Sequence, residues 1–183
     1  MEFTATHIEG VYIIGLKKLE DERGLFARTF CKNEFKQIGF DTEFVQFNHS
    51  FNKYKGTIRG MHFQQPPYSE TKLIRCIQGA VYDVAVDLRA GSATFLQYFG
   101  IELSAQNMKS ILIPEGFAHG FQTLEDDTAL IYHHTQYYTP GADAGVRFDD
   151  PALHIDWKLP ATMVSEKDKS YKMIDQNFKG ITI

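Results

Sequence analysis

Two short segments hold the residues of this chain best suited to proton chemistry. Residues 59–79 read RGMHFQQPPYSETKLIRCIQG and residues 114–121 read PEGFAHGF, each with one histidine, His62 and His119, inside a glycine-punctuated run of apolar and aromatic residues. A lone histidine in such a run is ordinarily a hydrogen-bonded core residue. Its company here points further: Arg59 stands three residues before His62, Lys72 ten after it, and Tyr132 and Asp168 lie downstream. Histidine changes charge near neutral pH, tyrosine donates a proton, aspartate accepts or orients one, and arginine and lysine fix positive charge. That set suits proton transfer beside an anion.

Strands must position these side chains, because turn residues divide the chain into short apolar runs. Residues 11–17 (VYIIGLK) read as an opening strand, 20–24 as a turn and 26–31 as a second strand. Asn33 is placed to cap a helix over 33–38 that Gly39 ends. Further strands are expected at 44–47, 58–63, 72–77, 81–88, 94–103, 110–113, 119–123 and 129–138. Many short strands at this spacing mean a sandwich or barrel, and the 14% aromatic content suits an interior packed by Phe and Tyr. After residue 138 the chain turns irregular, with a short helix expected near 165–171.

Strand alternation sorts the candidates by face. Lys72 points with Ile74 and Cys76, so its ammonium sits on an apolar face and requires an anion. Leu130, Tyr132, His134, Gln136 and Tyr138 share one face of the 129–138 run, which turns Tyr132 and Tyr138 into one space. His133 and His134 point to opposite faces and cannot chelate one ion. His62 is followed by Phe63 and Gln64, and His119 by Gly120 and Phe121. Neither motif therefore supplies a second metal ligand, and no metal is expected.

Composition narrows the class. A chain of 183 residues fits one domain over 1–183. A net charge of -4 with scattered Lys and Arg argues against a nucleic-acid surface. The N-terminal residues lack the pattern of a signal peptide, and no apolar run approaches the ~20 residues of a membrane span. A cytoplasmic protein is expected. Cys31 and Cys76 sit in separate hydrophobic stretches and read as free thiols. There is no nucleophile elbow, phosphate-cradling glycine loop or dinucleotide fingerprint.

Seven motifs, in order along the chain, carry a family resemblance: residues 21–26 (DERGLF), 44–50 (FVQFNHS), 59–64 (RGMHFQ), 72–75 (KLIR), 83–89 (DVAVDLR), 113–121 (IPEGFAHGF) and 165–168 (SEKD). Together they resemble the dTDP-4-dehydrorhamnose 3,5-epimerase family over nearly the whole chain. The resemblance implies an all-β fold, a cupin-type jelly-roll β-barrel with a few short flanking helices. It also implies a homodimer exchanging strands, no metal or other cofactor, and a nucleotide-linked 4-keto-6-deoxyhexose as substrate.

By the same resemblance His62 is the catalytic base, Asp168 its carboxylate partner, Tyr132 the acid and Lys72 the group that stabilises the enolate. Arg59 and His119 would line the sugar site. Arg23, Phe26, Gln46 and Asn48 would contact nucleotide or sugar from a subunit edge, and Tyr138 would stack on the base. Arg28 departs from the pattern, standing where the family carries a glutamate at the nucleotide edge, and leaves the base of the nucleotide open. His133 stands where the family often has lysine, on the outer side of the strand. The same residues are open to other readings: a mono-epimerase acting on another nucleotide sugar such as a CDP sugar, a sugar-nucleotide 3,4-ketoisomerase, or a sugar-binding cupin.

Overall fold

The computed structural model describes residues 1–183. Its strands are β1 (Glu2–Ala5), β2 (Tyr12–Gly15), β3 (Lys18–Asp21), β4 (Gly24–Ala27), β5 (Gln46–Asn52), β6 (Thr57–Gln64) and β7 (Lys72–Gln78). They continue as β8 (Ala80–Asp87), β9 (Tyr98–Ser104), β10 (Ser110–Ile113), β11 (Phe117–Thr123), β12 (Thr128–His134), β13 (Asp143–Gly145) and β14 (Met163–Val164). The helices are α1 (Lys32–Phe35), continued by a 3-10 turn (Lys36–Ile38), and α2 (Glu166–Ser170).

One antiparallel sheet has the order β1-β2-β10-β7-β12-β5, and a second the order β13-β6-β11-β8-β9, with β14 parallel to β6. They face each other as a cupin-type jelly roll. β3 and β4 form a separate two-stranded hairpin outside both sheets.

Three layers of apolar side chains hold the sheets. Between them lies a cluster that includes Ile74, Cys76, Ile111 and Leu130 from the first sheet and Val81, Ala85, Leu103, Phe117 and Phe121 from the second. Phe35 of α1 and Phe40 cover the outside of the first sheet at Ile14, Leu73 and Leu112. The long C-terminal segment covers the outside of the second, packing Val146 and Leu153 on Met61, Tyr82, Val84 and Val86. β8 is therefore buried on both faces throughout, which is why AVYDVAVD reads as a nearly continuous apolar run.

Several expected boundaries move. The opening strand shortens to β2, residues 20–21 join β3 rather than a turn, and the 26–31 strand becomes the shorter β4. Cys31, not Asn33, is the residue at the start of α1, and no side chain caps it; Gly39 ends the turn with φ 79° as expected. The strand expected at 44–47 starts at Gln46 and runs to Asn52, and that expected at 94–103 starts at Tyr98. The 129–138 strand stops at His134 for a clear reason. His134 pairs with Gln46 and Lys72, the first residues of its two neighbours, so beyond it no strand remains to pair with.

Candidate active site

A single irregularity in β6 builds the centre of the site. His119 pairs with His62 and Phe121 with Arg59, so two steps along β11 match three along β6. Arg59 and His62 would face opposite ways in a regular strand, and the extra residue lets both line the same cavity. Gly60 is the hinge, with φ 135°. A Cβ there would fall 2.6 Å from Gly120 Cα, so the two strands approach this closely only with glycine on both.

The cavity opens between the β5–β12–β7 side of the first sheet and the β13–β6–β11 side of the second. Its outer compartment, about 860 Å³, is lined by Gln46, Asn48, Arg59, His62, Lys72, Tyr138 and Asp168 among others. An inner compartment of about 240 Å³ shares Asn48, Arg59, His62 and Lys72 with it and adds Ser50, His119 and Tyr132. Nine of the twelve expected site residues thus meet in one place. Tyr138 lies at the mouth, where its hydroxyl donates to Asp143 Oδ1 at 3.3 Å, and does not share the inner space with Tyr132. The early end of β12 accounts for that difference.

Arg23, Phe26 and Arg28 stand apart from this cavity. Arg23 and Phe26 lie on the β3–β4 hairpin, where Arg23 pairs with Asp21 and Phe26 is 68% exposed. Arg28 is salt-bridged to Glu34 of α1 at 2.8 Å.

His62 and Asp168 form a dyad across a long stretch of sequence, Nε2 to Oδ1 at 2.7 Å. Ser165 caps α2 by accepting the Asp168 backbone N–H at 3.0 Å, and Gly60 N donates to Asp168 Oδ2 at 3.2 Å. Burial works to raise the Asp168 carboxyl, but the His62 hydrogen bond and charge, with the bonds from Gly60 and Ser165, hold it below its ordinary value. An ionised Asp168 only accepts. His62 Nε2 therefore carries hydrogen toward it, and in the neutral ring Nδ1 is the nitrogen with the lone pair. His62 keeps 42% of its side chain exposed, so that lone pair belongs to a ring the cavity can reach.

Opposite stands Tyr132 of β12, with Ser50 Oγ 3.2 Å from its hydroxyl. Burial pushes the phenol up, which keeps it a neutral proton donor. His119 is almost wholly buried and donates Nε2–H to Asp83 Oδ2 at 2.9 Å. Burial pushes the imidazole down, outweighing the opposite pull of Asp83, so the ring is neutral. Lys72 finds the anion its face requires: Nζ is salt-bridged to Glu70 Oε1 at 3.2 Å and donates to the His62 carbonyl at 3.3 Å.

Sequence reasoning missed Glu70, Asp83, Ser50, Asp143, Lys167 and Tyr171. Asp83 sits at an inward position in the middle of β8, whose only other charged residue is the terminal Asp87, and it needed a partner. Glu70 lies outside the expected strand, and no pattern marked it. Lys167 lines the cavity mouth and pairs with Asp143 at 2.5 Å, while the Tyr171 ring meets His62 edge-on with centroids 6.0 Å apart.

Several of the known proteins most similar to this chain carry the same description. The family model for dTDP-4-dehydrorhamnose 3,5-epimerase matches residues 5–176. The dTDP-4-dehydrorhamnose 3,5-epimerase of Shigella flexneri is 39% identical over 180 residues, covering 97% of this chain and 99% of its own. The crystal structure of the Bacillus anthracis enzyme with TDP and PPi bound superposes with a TM-score of 0.92 at 39% identity, over 94% of this chain and 99% of that one. An epimerase from Legionella pneumophila in complex with dTDP-4-keto-L-rhamnose gives a TM-score of 0.92 at 37% identity, over 100% and 98% of the two chains.

Proposed function

The chain belongs to the dTDP-4-dehydrorhamnose 3,5-epimerase family, an isomerase family, and we propose that its cavity binds a dTDP-linked 4-keto-6-deoxyhexose whose carbons 3 and 5 it inverts by proton transfer. The observation that carries the residue roles is the opposition of a base and an acid. His62 with Asp168 comes from β6 and α2 on one side, and Tyr132 from β12 on the other, in one cavity that also holds Lys72.

The C4 ketone acidifies the C–H bonds at carbons 3 and 5, because each carbanion delocalises onto the ketone oxygen as an enolate. This chemistry needs no cofactor. His62 Nδ1 takes the proton, the Lys72 ammonium stabilises the enolate oxygen in a water-poor site, and the Tyr132 phenol returns a proton from the opposite face of the ring. Delivery from the opposite face inverts the centre. Arg59 and Lys167 are the cavity cations available to the diphosphate, and Tyr138 is the aromatic at the mouth available to the base.

The hairpin supports a homodimer. Leu19, Leu25 and Phe26 of β3 and β4 are more than half exposed, and the hairpin joins neither sheet. In a homodimer it would cover this apolar surface and carry Arg23 and Phe26 to the cavity of a second copy. We expect a solution mass of twice 20.9 kDa; a fully active monomer would exclude this role. A nucleotide-sugar substrate also points to a cytoplasmic enzyme.

The decisive experiment follows hydrogen exchange in heavy water with the dTDP-linked 4-keto-6-deoxyhexose. The 3,5-epimerase reading expects deuterium at two carbons with inversion; label at one carbon would mean a mono-epimerase, and none a binding protein. Tyr132→Phe is expected to keep exchange with retention while losing inversion. Epimerisation at the wild-type rate in that variant would remove Tyr132 from the mechanism.

A further inference from the structure

Lys72 is held by a buried pair that the epimerisation chemistry above leaves unused. Glu70 Oε1 is salt-bridged to Lys72 Nζ at 3.2 Å, while Glu70 Oε2 accepts from His134 Nδ1 at 2.8 Å. The three side chains are only 9–10% exposed. The path continues outward: Asn48 Nδ2 donates to His134 Nε2 at 3.2 Å, Gln46 Nε2 to Asn48 Oδ1 at 3.3 Å, and Tyr138 N to Gln46 Oε1 at 3.0 Å. Each partner's hydrogen-bonding role is thereby set. With Nε2 accepting from Asn48, His134 donates to Glu70 through Nδ1.

We infer that Glu70 and His134 are positioning residues for Lys72: Glu70 holds the ammonium in place and aimed into the cavity, and His134, clamped by Asn48, holds Glu70. This rests on the reading of Lys72 as the enolate-stabilising group.

Two opposing effects of Glu70 can be weighed. As a nearby anion it weakens the attraction of the ammonium for an enolate oxygen. As a counter-ion it keeps a buried ammonium in place. Lys72 is 7% exposed, on a face it shares with Ile74 and Cys76, both wholly buried. Its only hydrogen-bond acceptor is the His62 carbonyl, and its only counter-ion is Glu70. Without Glu70, an unpaired cation in this setting would leave its place for water. The second effect therefore wins, and removing Glu70 lowers the rate. The carboxylate is itself well held: burial works to raise it, and the His134 hydrogen bond with the Lys72 charge overcomes this and lowers it.

A double-mutant cycle tests the inference. The rate of deuterium wash-in and kcat are measured for wild type, Glu70→Gln, Glu70→Asp, Lys72→Ala and Glu70→Gln/Lys72→Ala, with dTDP affinity as the control for folded protein. Glu70→Gln is expected to lower kcat and wash-in at least ~10-fold with dTDP affinity unchanged, and Glu70→Asp to recover part of the loss. In the Lys72→Ala background Glu70→Gln should cost nothing more, since it acts through Lys72. His134→Phe should give a smaller loss of the same kind.

An unchanged or raised rate in Glu70→Gln overturns the inference, as does an equal further loss in the Lys72→Ala background. If wild type shows wash-in that Lys72→Ala does not slow, the enolate role of Lys72 falls instead, and the inference with it. That outcome is distinct because the reference variant, not Glu70→Gln, reveals it.

Discussion

The molecule holds two histidine–aspartate pairs on adjoining strands, His62 with Asp168 and His119 with Asp83, and the two histidines are direct partners in the β6–β11 ladder. Their hydrogen bonds are nearly the same length, 2.7 Å and 2.9 Å, both from Nε2. What separates them is access. The His62 side chain is 42% exposed and His119 only 6%. Asp168 arrives from the C-terminal helix and has a further donor in Gly60. Asp83 belongs to the same sheet as its histidine, and its Oδ1 is buried without a hydrogen-bond partner. Identical chemical pairs thus serve differently: one leaves a basic nitrogen where a substrate can reach it, the other locks a neutral ring into the wall.

The largest expected effect is on the accessible pair. His62→Ala should reduce both exchange and epimerisation by at least ~10²-fold, the contribution of a positioned base. Asp168→Asn should also lower kcat strongly, because an amide no longer fixes the Nε2–H tautomer. Asp83→Ala should show the reverse balance. It leaves a buried Nε2–H on His119 unpaired, costing about 1–3 kcal/mol of stability, with a smaller loss of turnover than Asp168→Asn. Urea unfolding and deuterium wash-in on the same variants decide the matter. If Asp83→Ala proves the more catalytically damaging, the two pairs have been assigned the wrong way round.

The sequence made the chemistry of the site legible better than its geometry. Period-two alternation correctly placed Lys72 on the inner face with Ile74 and Cys76, and turned His133 and His134 apart: His133 packs against Phe44 and Phe47, while His134 bonds Glu70. Alternation fails where a strand stops or gains a residue. It carried Tyr138 into the interior because nothing local announces that β5 and β7 both begin opposite His134. It also gave no account of how Arg59 and His62, three apart, face one cavity, although the glycine between them is the residue such a bulge needs. In β8 both faces are covered, so hydrophobic patterning could not mark the inner side, and Asp83 was seen only as part of a motif. Glu70 and the cavity role of Lys167 depend on contacts between segments distant in sequence.

A third carboxylate sharpens the comparison, because it shares β8 with Asp83 yet has no histidine. Asp87 accepts from Arg89, Ser92 and Thr94, and its side chain is wholly buried. Burial works to raise it, but these bonds prevail and lower it from 3.8 to about 2. The folded value lies below the unfolded one, so the stabilisation is complete above pH 3.8 and is lost as pH falls toward 2. A shift of this size corresponds to about 2 kcal/mol. Asp87→Asn should lower stability at pH 7 by about that amount and flatten the acid side of the stability profile, with turnover of the folded enzyme unchanged. A loss of kcat without a loss of stability would mean that Asp87 reaches the site through the turn it organises.

The smallest effect concerns the buried ring itself. Burial lowers the His119 imidazole from its ordinary 6.5, so the unfolded chain takes up this proton before the folded protein does. Stability owed to the neutral ring is therefore fully present above pH 6.5 and declines as pH falls from there through the lower folded value. One such group contributes a slope of at most about 1.4 kcal/mol per pH unit. His119→Gln retains a donor for Asp83 but does not titrate. It should flatten the stability profile just below pH 6.5, leaving the part due to His133, which burial also lowers. Chemical denaturation at closely spaced pH values would read this directly. A profile unchanged by His119→Gln would mean that His119 gains its proton as readily in the folded wall as in the unfolded chain, and access would no longer be what distinguishes the two pairs.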